Sequence, residues 1–375
     1  MKLFTLFVVG MCGLLLSYPA VAVESNAKQL YLIDDSTQTV LMEREAQTKM
    51  FPSSMSKLIT VYALFEKLKD GTFTLNTELR VSEKAWRMGG SKMFVHVGDA
   101  VKVEDLLRGI VIQSGNDACV VVAEAIGGTE EGFAVKLNEI AKRLGMKNSN
   151  FTNSTGWPDE QHYTTAEDLA ILAHHLINDF PEYYPYYQEK SFTYNGITQP
   201  NRNLLLGRGI GVDGLKTGHT EVAGYGITLS ALDEATNRRI NLVINGLSSE
   251  AERAREGETL LQYGLNFFRA ITLVEGGHVV EQVPVWFGRA ERVNVAPNED
   301  VRVTVPRSDE DSIQYFISYD APHAAPITQG QELATLTVKS KDKVLKTIPL
   351  YATNPVERAG FFARIGKALS YKLGL

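Results

Sequence analysis

The spacing of apolar residues divides the chain into a part that mixes helices with strands and a part built of strands alone. In the first part, Gln29-Leu30-Tyr31-Leu32-Ile33 and Thr39-Val40-Leu41-Met42 read as two strands, with turn residues Asp34-Asp35-Ser36 between them. Met55, Leu58, Ile59, Tyr62, Ala63 and Leu64 then recur at helical spacing and predict a buried helix over 53–67. Pro52 and Ser53 suit its start, proline in the first turn and serine as a cap for free N–H groups. Asp105 to Ile112 predicts a helix that stops at Gln113-Ser114-Gly115-Asn116-Asp117, and Ala118 to Ile126 another, closed by Gly127-Gly128. Phe133 to Leu144 and Thr165 to Ile177 are amphipathic helices flanking a polar loop over 150–164. Tyr225 to Leu232 and Arg239 to Leu247 are two more strands, which makes Leu215 to Thr220 the end of a third in the same antiparallel sheet.

Past Gly276-Gly277 the pattern changes. Val283/Val285, Val293/Val295, Val301/Val303/Val305 and Leu336/Val338 alternate with polar residues and give short strands without a convincing helix. This predicts a small, β-sandwich-like domain over 275–352 with no constellation that suggests chemistry, read as a spacer in preference to a docking surface. The remaining 353–375 segment carries Phe361, Phe362, Ile365, Leu369 and Leu373 on one helical face, with Arg364 and Lys367 opposite and Arg358 and Lys372 placed to snorkel. Four basic residues against Glu357 suit a helix lying in an anionic membrane surface, too short and too charged to span it; packing on the β domain is the alternative.

At the other end, 1–22 has the layout of a secretory signal peptide. Lys2 supplies the positive end, Leu3 to Leu16 is almost wholly apolar, and Ala20-Val21-Ala22 has the small residues of a cleavage site. The competing reading, an uncleaved anchor, needs a longer apolar run. Cleavage removes Cys12 and leaves Cys119 as the sole cysteine, so no intramolecular disulfide forms and stability rests on an ordinary core. A chain of 375 residues suffices for two domains, the first covering 23–274. The net charge of −6 argues against a nucleic-acid partner, which favours a basic patch. His174-His175 lacks partner ligands at metal spacing, so no metal or other cofactor is expected and a zinc hydrolase ranks low.

Candidate chemistry is spread over three segments. Ser54 and Lys57 lie three apart on the predicted helix, hence on one face. A serine hydroxyl becomes a nucleophile when a base sits within hydrogen-bond reach. A lysine becomes that base when its pKa falls from about 10.4 towards neutrality, a drop of about 3 units costing roughly 4 kcal/mol. Burial and a second cation achieve this. By itself Ser-x-x-Lys says little, since Ser25/Lys28 and Ser340/Lys343 repeat it. Ser114-Gly115-Asn116 between two apolar helices reads either as part of a cleft wall or as a capping loop, with Cys119 buried behind it. Trp86 to Phe94 reads as a cleft rim or as a plain surface loop. Lys216-Thr217-Gly218 ends a strand along which a substrate backbone can lie, and Lys216 offers the second cation that Lys57 needs.

Taken in order, Ser54-x-x-Lys57, Ser114-Gly115-Asn116 and Lys216-Thr217-Gly218 form the serine acyl-transferase signature of penicillin-binding proteins and β-lactamases. Ser-x-Asn and Lys-Thr-Gly each occur once, which makes the joint match specific. With Asn201-Arg202-Asn203 and Val212-Asp213-Gly214 through Thr220, the chain resembles the low-molecular-mass penicillin-binding proteins that are serine-type D-alanyl-D-alanine carboxypeptidases (peptidase S11 type), over nearly its whole length. The resemblance implies an α/β (α+β) catalytic domain of the β-lactamase/transpeptidase type, an antiparallel sheet flanked by helices, followed by the all-β domain and the C-terminal amphipathic helix. It implies that Ser54 attacks the D-Ala-D-Ala bond of peptidoglycan stem peptides, Lys57 is the base and Ser114 relays the proton to the leaving D-alanine. Asn116 would hold the substrate amide, Lys216 shape the electrostatics, Thr217 and Arg253 (Arg255 in reserve) meet the terminal carboxylate, and backbone N–H groups of Ser54 and His219, beside Gly218, form the oxyanion hole. Arg202 is expected to support the site without touching substrate. β-Lactam antibiotics would be covalent inhibitors, and the location would be the periplasmic face of the inner membrane. The alternative is a D,D-endopeptidase or weak β-lactamase; against the latter, Ala134 stands where the deacylating glutamate of class A enzymes belongs.

Overall fold

The computed structural model describes residues 23–365; the predicted signal peptide and the part of the predicted terminal helix beyond 365 lie outside the described residues. Strands β1 (Gln29–Asp34), β2 (Thr39–Arg44), β3 (Val212–Thr220), β4 (Gly224–Asp233) and β5 (Arg238–Leu247) form one antiparallel sheet in the order β2-β1-β5-β4-β3. Period-two side chains give each inner strand two apolar faces. Leu30, Leu32, Ile240, Leu242, Ile244, Ile227 and Leu229 point to one side, where Leu260 and Leu261 of helix α6 (Glu250–Phe267) cover them. Tyr31, Ile33, Val243 and Leu215 point to the other, against the larger helical layer. That layer holds α1 (Lys57–Lys69), α2 (Val103–Val111), α3 (Asn116–Gly127), α4 (Glu130–Leu144) and α5 (Ala166–Asp179). α1 runs through its middle, buried at ten of its thirteen positions, Lys57 among them.

Three features depart from the sequence reading. The helix start at Ser53 is a 3₁₀ turn (Ser53–Ser56) ahead of α1, and neither Ser53 nor Ser56 caps with its side chain. Ser53 instead adopts φ 49° and meets the Thr220 hydroxyl of β3 at 3.2 Å. Ahead of the expected boundary at 275, a strand, Phe268–Val274, leaves α6 directly and pairs with Val301–Pro306 of the β-rich part. The predicted terminal helix is not helical where it was expected to begin. Val356 bridges Ile327, Arg358 bridges Gly288 and donates to the Ala325 carbonyl, so 355–360 is stitched to the β part and helical backbone starts at Phe361.

The β-rich part packs its own valine-rich core, including Val283, Val293, Val295, Val301, Val303, Leu336 and Val338. A buried polar clasp ties it to the sheet. Asp34 accepts from Arg238 Nε (2.5 Å) and from the Thr304 hydroxyl (2.8 Å), while Arg238 also donates to the carbonyls of Gly264, Leu265 and Phe268. A buried charge with four of its five donors committed in this way is held rigidly.

Candidate active site

Two of the three motif segments, through Ser54 and through Thr217 and Gly218, line one cleft of about 480 Å³ at the β3 edge of the sheet, together with Ser91, Arg202, His219, Tyr225, Glu250 and Arg253. Ser114 and Asn116 do not line it, and their segment is joined to it by the Asn116 N–H on the Ser91 carbonyl. Close approach of β3 to the turn carrying Ser54 requires Gly218: a Cβ there would lie 2.8 Å from the Pro52 carbonyl oxygen and 3.1 Å from Met55 Cγ. On the opposite side Gly156, at φ +80°, lets the 150–164 loop reach the same turn, since a Cβ would fall 1.8 Å from the Ser53 carbonyl oxygen.

Lys57 donates to Ser54 Oγ at 2.9 Å and to the Thr155 carbonyl at 2.6 Å. Complete burial is the main force lowering its pKa to about 8, partly opposed by the Cys119 thiol and reinforced by Arg202. Lys216 is buried as well, donates to the Thr217 carbonyl at 3.1 Å, and is pushed well below the ordinary lysine value by burial, then by Lys57, Arg202 and Arg253. The sequence points to Lys216 as the cation bearing on Lys57. The two buried amines repel one another, a repulsion that acts on both, and Arg202 adds positive charge beside each. Cys119 is fully buried and its thiol is raised to about 12, mainly by burial, which leaves it unreactive.

Ser114 sits at φ 61°, fully buried, and its hydroxyl has no protein partner. Such a conformation in a non-glycine residue costs on the order of 1–3 kcal/mol and persists where the surroundings impose it. The capping alternative for this triplet does not hold, since Gly115 occupies the N-cap position of α3 without a side-chain bond. Asn116 donates to the Gly89 carbonyl at 2.8 Å, and its own N–H reaches the Ser91 carbonyl, so the 86–94 loop is a wall of the cleft. Asp117, not singled out from the sequence, pins that wall: its carboxylate accepts from the backbone N–H groups of Met93 and Phe94 at 2.9 Å and Val95 at 3.3 Å.

Across the cleft, Arg202 donates to the Ser91 hydroxyl at 2.7 Å and faces the pocket instead of standing behind it. Arg253 is buried, donates to Glu250 at 2.9 Å, and lies 5.7 Å from the Tyr225 ring, itself stacked on His219 at 3.9 Å. Arg255 does not line the cleft. His162, fixed to the Ser56 hydroxyl at 2.7 Å and lowered to about 4 by burial, holds the loop that supplies the Thr155 carbonyl. Thr155, His162 and Glu250 carry no motif in the sequence; long-range folding alone brings them here. The paired histidines are each committed to a carboxylate, His174 to Asp35 at 2.8 Å and His175 to Asp179 at 3.0 Å. Among the described residues no group of three or more His, Cys, Asp or Glu side chains could hold a metal ion.

Residues 17–248 match the family model described as D-alanyl-D-alanine carboxypeptidase. The chain belongs to that family. Residues 268–358 match the C-terminal domain of penicillin-binding protein 5, in agreement with the strand that starts at Phe268. D-alanyl-D-alanine carboxypeptidase DacC of Escherichia coli K12 is 36% identical over 348 residues, covering 91% of this chain and 86% of that protein. DacF of Bacillus subtilis is 34% identical over 350 residues, covering 92% and 89%. Among solved structures, penicillin binding protein 5 of Haemophilus influenzae superposes with a TM-score of 0.85 at 33% identity, covering 90% of this chain and 99% of that one. The carboxypeptidase DacD of Francisella tularensis gives 0.78 at 30% identity, covering 90% and 95%. The expected architecture, an α/β carboxypeptidase domain followed by a β-rich domain, is therefore the one this family has.

Proposed function

We propose that this serine-type D-Ala-D-Ala carboxypeptidase removes the terminal D-alanine of peptidoglycan stem peptides with Ser54 as nucleophile and Lys57, in its neutral form, as the base. The observation that carries the assignment is the 2.9 Å contact between Ser54 Oγ and an amine whose pKa is drawn down to about 8. Lys57 takes the hydroxyl proton as Ser54 bonds to the penultimate carbonyl carbon. The developing oxyanion is met by the N–H groups of Ser54 and His219. The unpartnered Ser114 hydroxyl passes a proton to the leaving amine as the C–N bond breaks, and free D-alanine departs. Water then cleaves the acyl-enzyme and restores Ser54. Asn116 and Thr217 align the substrate, Lys216 keeps the cleft positive, and the guanidinium of Arg253, joined by Arg202, pairs with the terminal carboxylate. A β-lactam carries the same carboxylate and a reactive amide, so it acylates the same serine.

The test is a penicillin adduct mapped by mass spectrometry, together with free D-alanine release from a stem pentapeptide. Adduct on Ser54 and loss of both signals in Ser54→Ala are expected; an adduct on any other residue overturns the assignment.

The division of labour extends to the rest of the chain. Residues 23–267 form the catalytic unit and 268–360 the β unit, a spacer held by the Asp34–Arg238–Thr304 clasp. After export directed by 1–22, the enzyme rests on the periplasmic face of the inner membrane through the segment that starts at Phe361. Support comes from Phe361 and Phe362, 64% and 86% exposed just after the segment bridged to the β unit. No helix among the described residues is long and apolar enough to cross a membrane.

A further inference from the structure

In the proposed mechanism Arg253 meets the substrate's terminal carboxylate, yet in the free enzyme that guanidinium already holds a carboxylate. Glu250 Oε1 lies 2.9 Å from Arg253 Nη2, and both residues line the cleft that holds Ser54. The two partners differ sharply in freedom: the Arg253 side chain is 5% exposed and that of Glu250 is 53% exposed. Arg253 is therefore the fixed half of the pair and Glu250 the half that can swing into water.

The start of α6 accounts for this arrangement. Ser249 caps the helix through the Glu252 N–H, and the Glu252 carboxylate is taken by the Ser248 N–H, the Ser248 hydroxyl and Asn26. Glu250 alone of the two first-turn acids remains free to face the cleft, and its three-residue offset from Arg253 sets the two side chains on one helix face. Its charge also bears on Arg202, so one carboxylate counters two cleft guanidiniums.

We infer that Glu250 is a built-in competitor for the carboxylate site of the cleft, mimicking the C-terminus of the substrate and setting the affinity for carboxylate-terminated peptides. The inference rests on the assignment of Arg253 to the substrate carboxylate. A peptide that also engages Ser54, Asn116 and the β3 edge displaces Glu250; a small anion without those contacts competes with Glu250 for Arg253 alone and gains less. The residue thus tunes selectivity through Arg253 without touching the reacting atoms.

Kinetics of Glu250→Gln on an acetylated L-Lys-D-Ala-D-Ala tripeptide test this. Loss of a partly exposed pair predicts that KM falls about two- to fivefold while kcat is unchanged. The same peptide with a C-terminal amide, measured as a competitor, binds no better to the variant. The gain disappears in the Arg253→Ala background, where KM for the acid is already raised. Glu250→Ala should behave as Glu250→Gln does. An unchanged or raised KM in both Glu250 variants, alongside a raised KM in Arg253→Ala, overturns this inference alone. An unchanged KM in Arg253→Ala overturns the carboxylate assignment, and the competitor falls with it.

Discussion

If Lys57 acts as a neutral base, acylation must follow its titration. With a pKa of about 8, roughly a tenth of Lys57 is neutral at pH 7 and about nine tenths at pH 9. The rate of acylation by a β-lactam, followed under single-turnover conditions, should therefore rise about tenfold from pH 7 to 9 and level off beyond. Below pH 7 it should fall close to tenfold per unit. The same displacement has a stability signature. The folded pKa lies below the unfolded one, so between about 8 and the ordinary lysine value the unfolded chain binds more protons than the native one. Stability contributed at this site therefore rises with pH through that window, and at pH 7 the buried ammonium costs about 3 kcal/mol. Lys57→Met should abolish acylation while recovering part of that amount in denaturant unfolding. It does not recover all of it, because the Thr155 carbonyl loses its donor. A rate that is flat between pH 6 and 9, or that falls as pH rises, would refute the assignment of Lys57 as the base.

Two further outcomes follow from the packing. Gly218→Ala places a methyl 2.8 Å from the Pro52 carbonyl and should push β3 away from the Ser54 turn, lowering stability by about 1–3 kcal/mol and acylation by more than stability alone accounts for; wild-type acylation at an unchanged melting temperature would sink this packing argument. Truncation after Gly360, which keeps the bridges of Val356 and Arg358, should release the enzyme from membranes with peptide hydrolysis intact, and continued membrane association in fractionation would dismiss the anchor.

Residues 355–360 show why that cut belongs after Gly360: Val356 and Arg358 are bridged to the β unit. Apolar periodicity cannot distinguish a short extended strand from the first turn of a following helix, because pairing with Ile327 and Gly288 is invisible along the chain. The same limit sets the expected start of the β domain at 275: the strand Phe268–Val274 leaves α6 without a break, so only its partner Val301–Pro306 identifies it.

By itself the sequence determined the helices and strands with clear apolar periodicity, the change to a period-two pattern in the β part, and the three segments whose residue types suit serine acyl transfer. Those features are local, since periodicity and motif spacing report on neighbours a few residues apart. Tertiary structure decided the electrochemistry of the cleft. The depth of burial of Lys57, the pressure of Arg202 on it, the Thr155 carbonyl it donates to, the clamp of Asp117 on the 86–94 wall and the carboxylate of Glu250 on Arg253 depend on contacts between distant segments. Desolvation and Coulomb forces act through space and take no account of chain order, so their balance was fixed when β3, α1, α3 and α6 closed on one another.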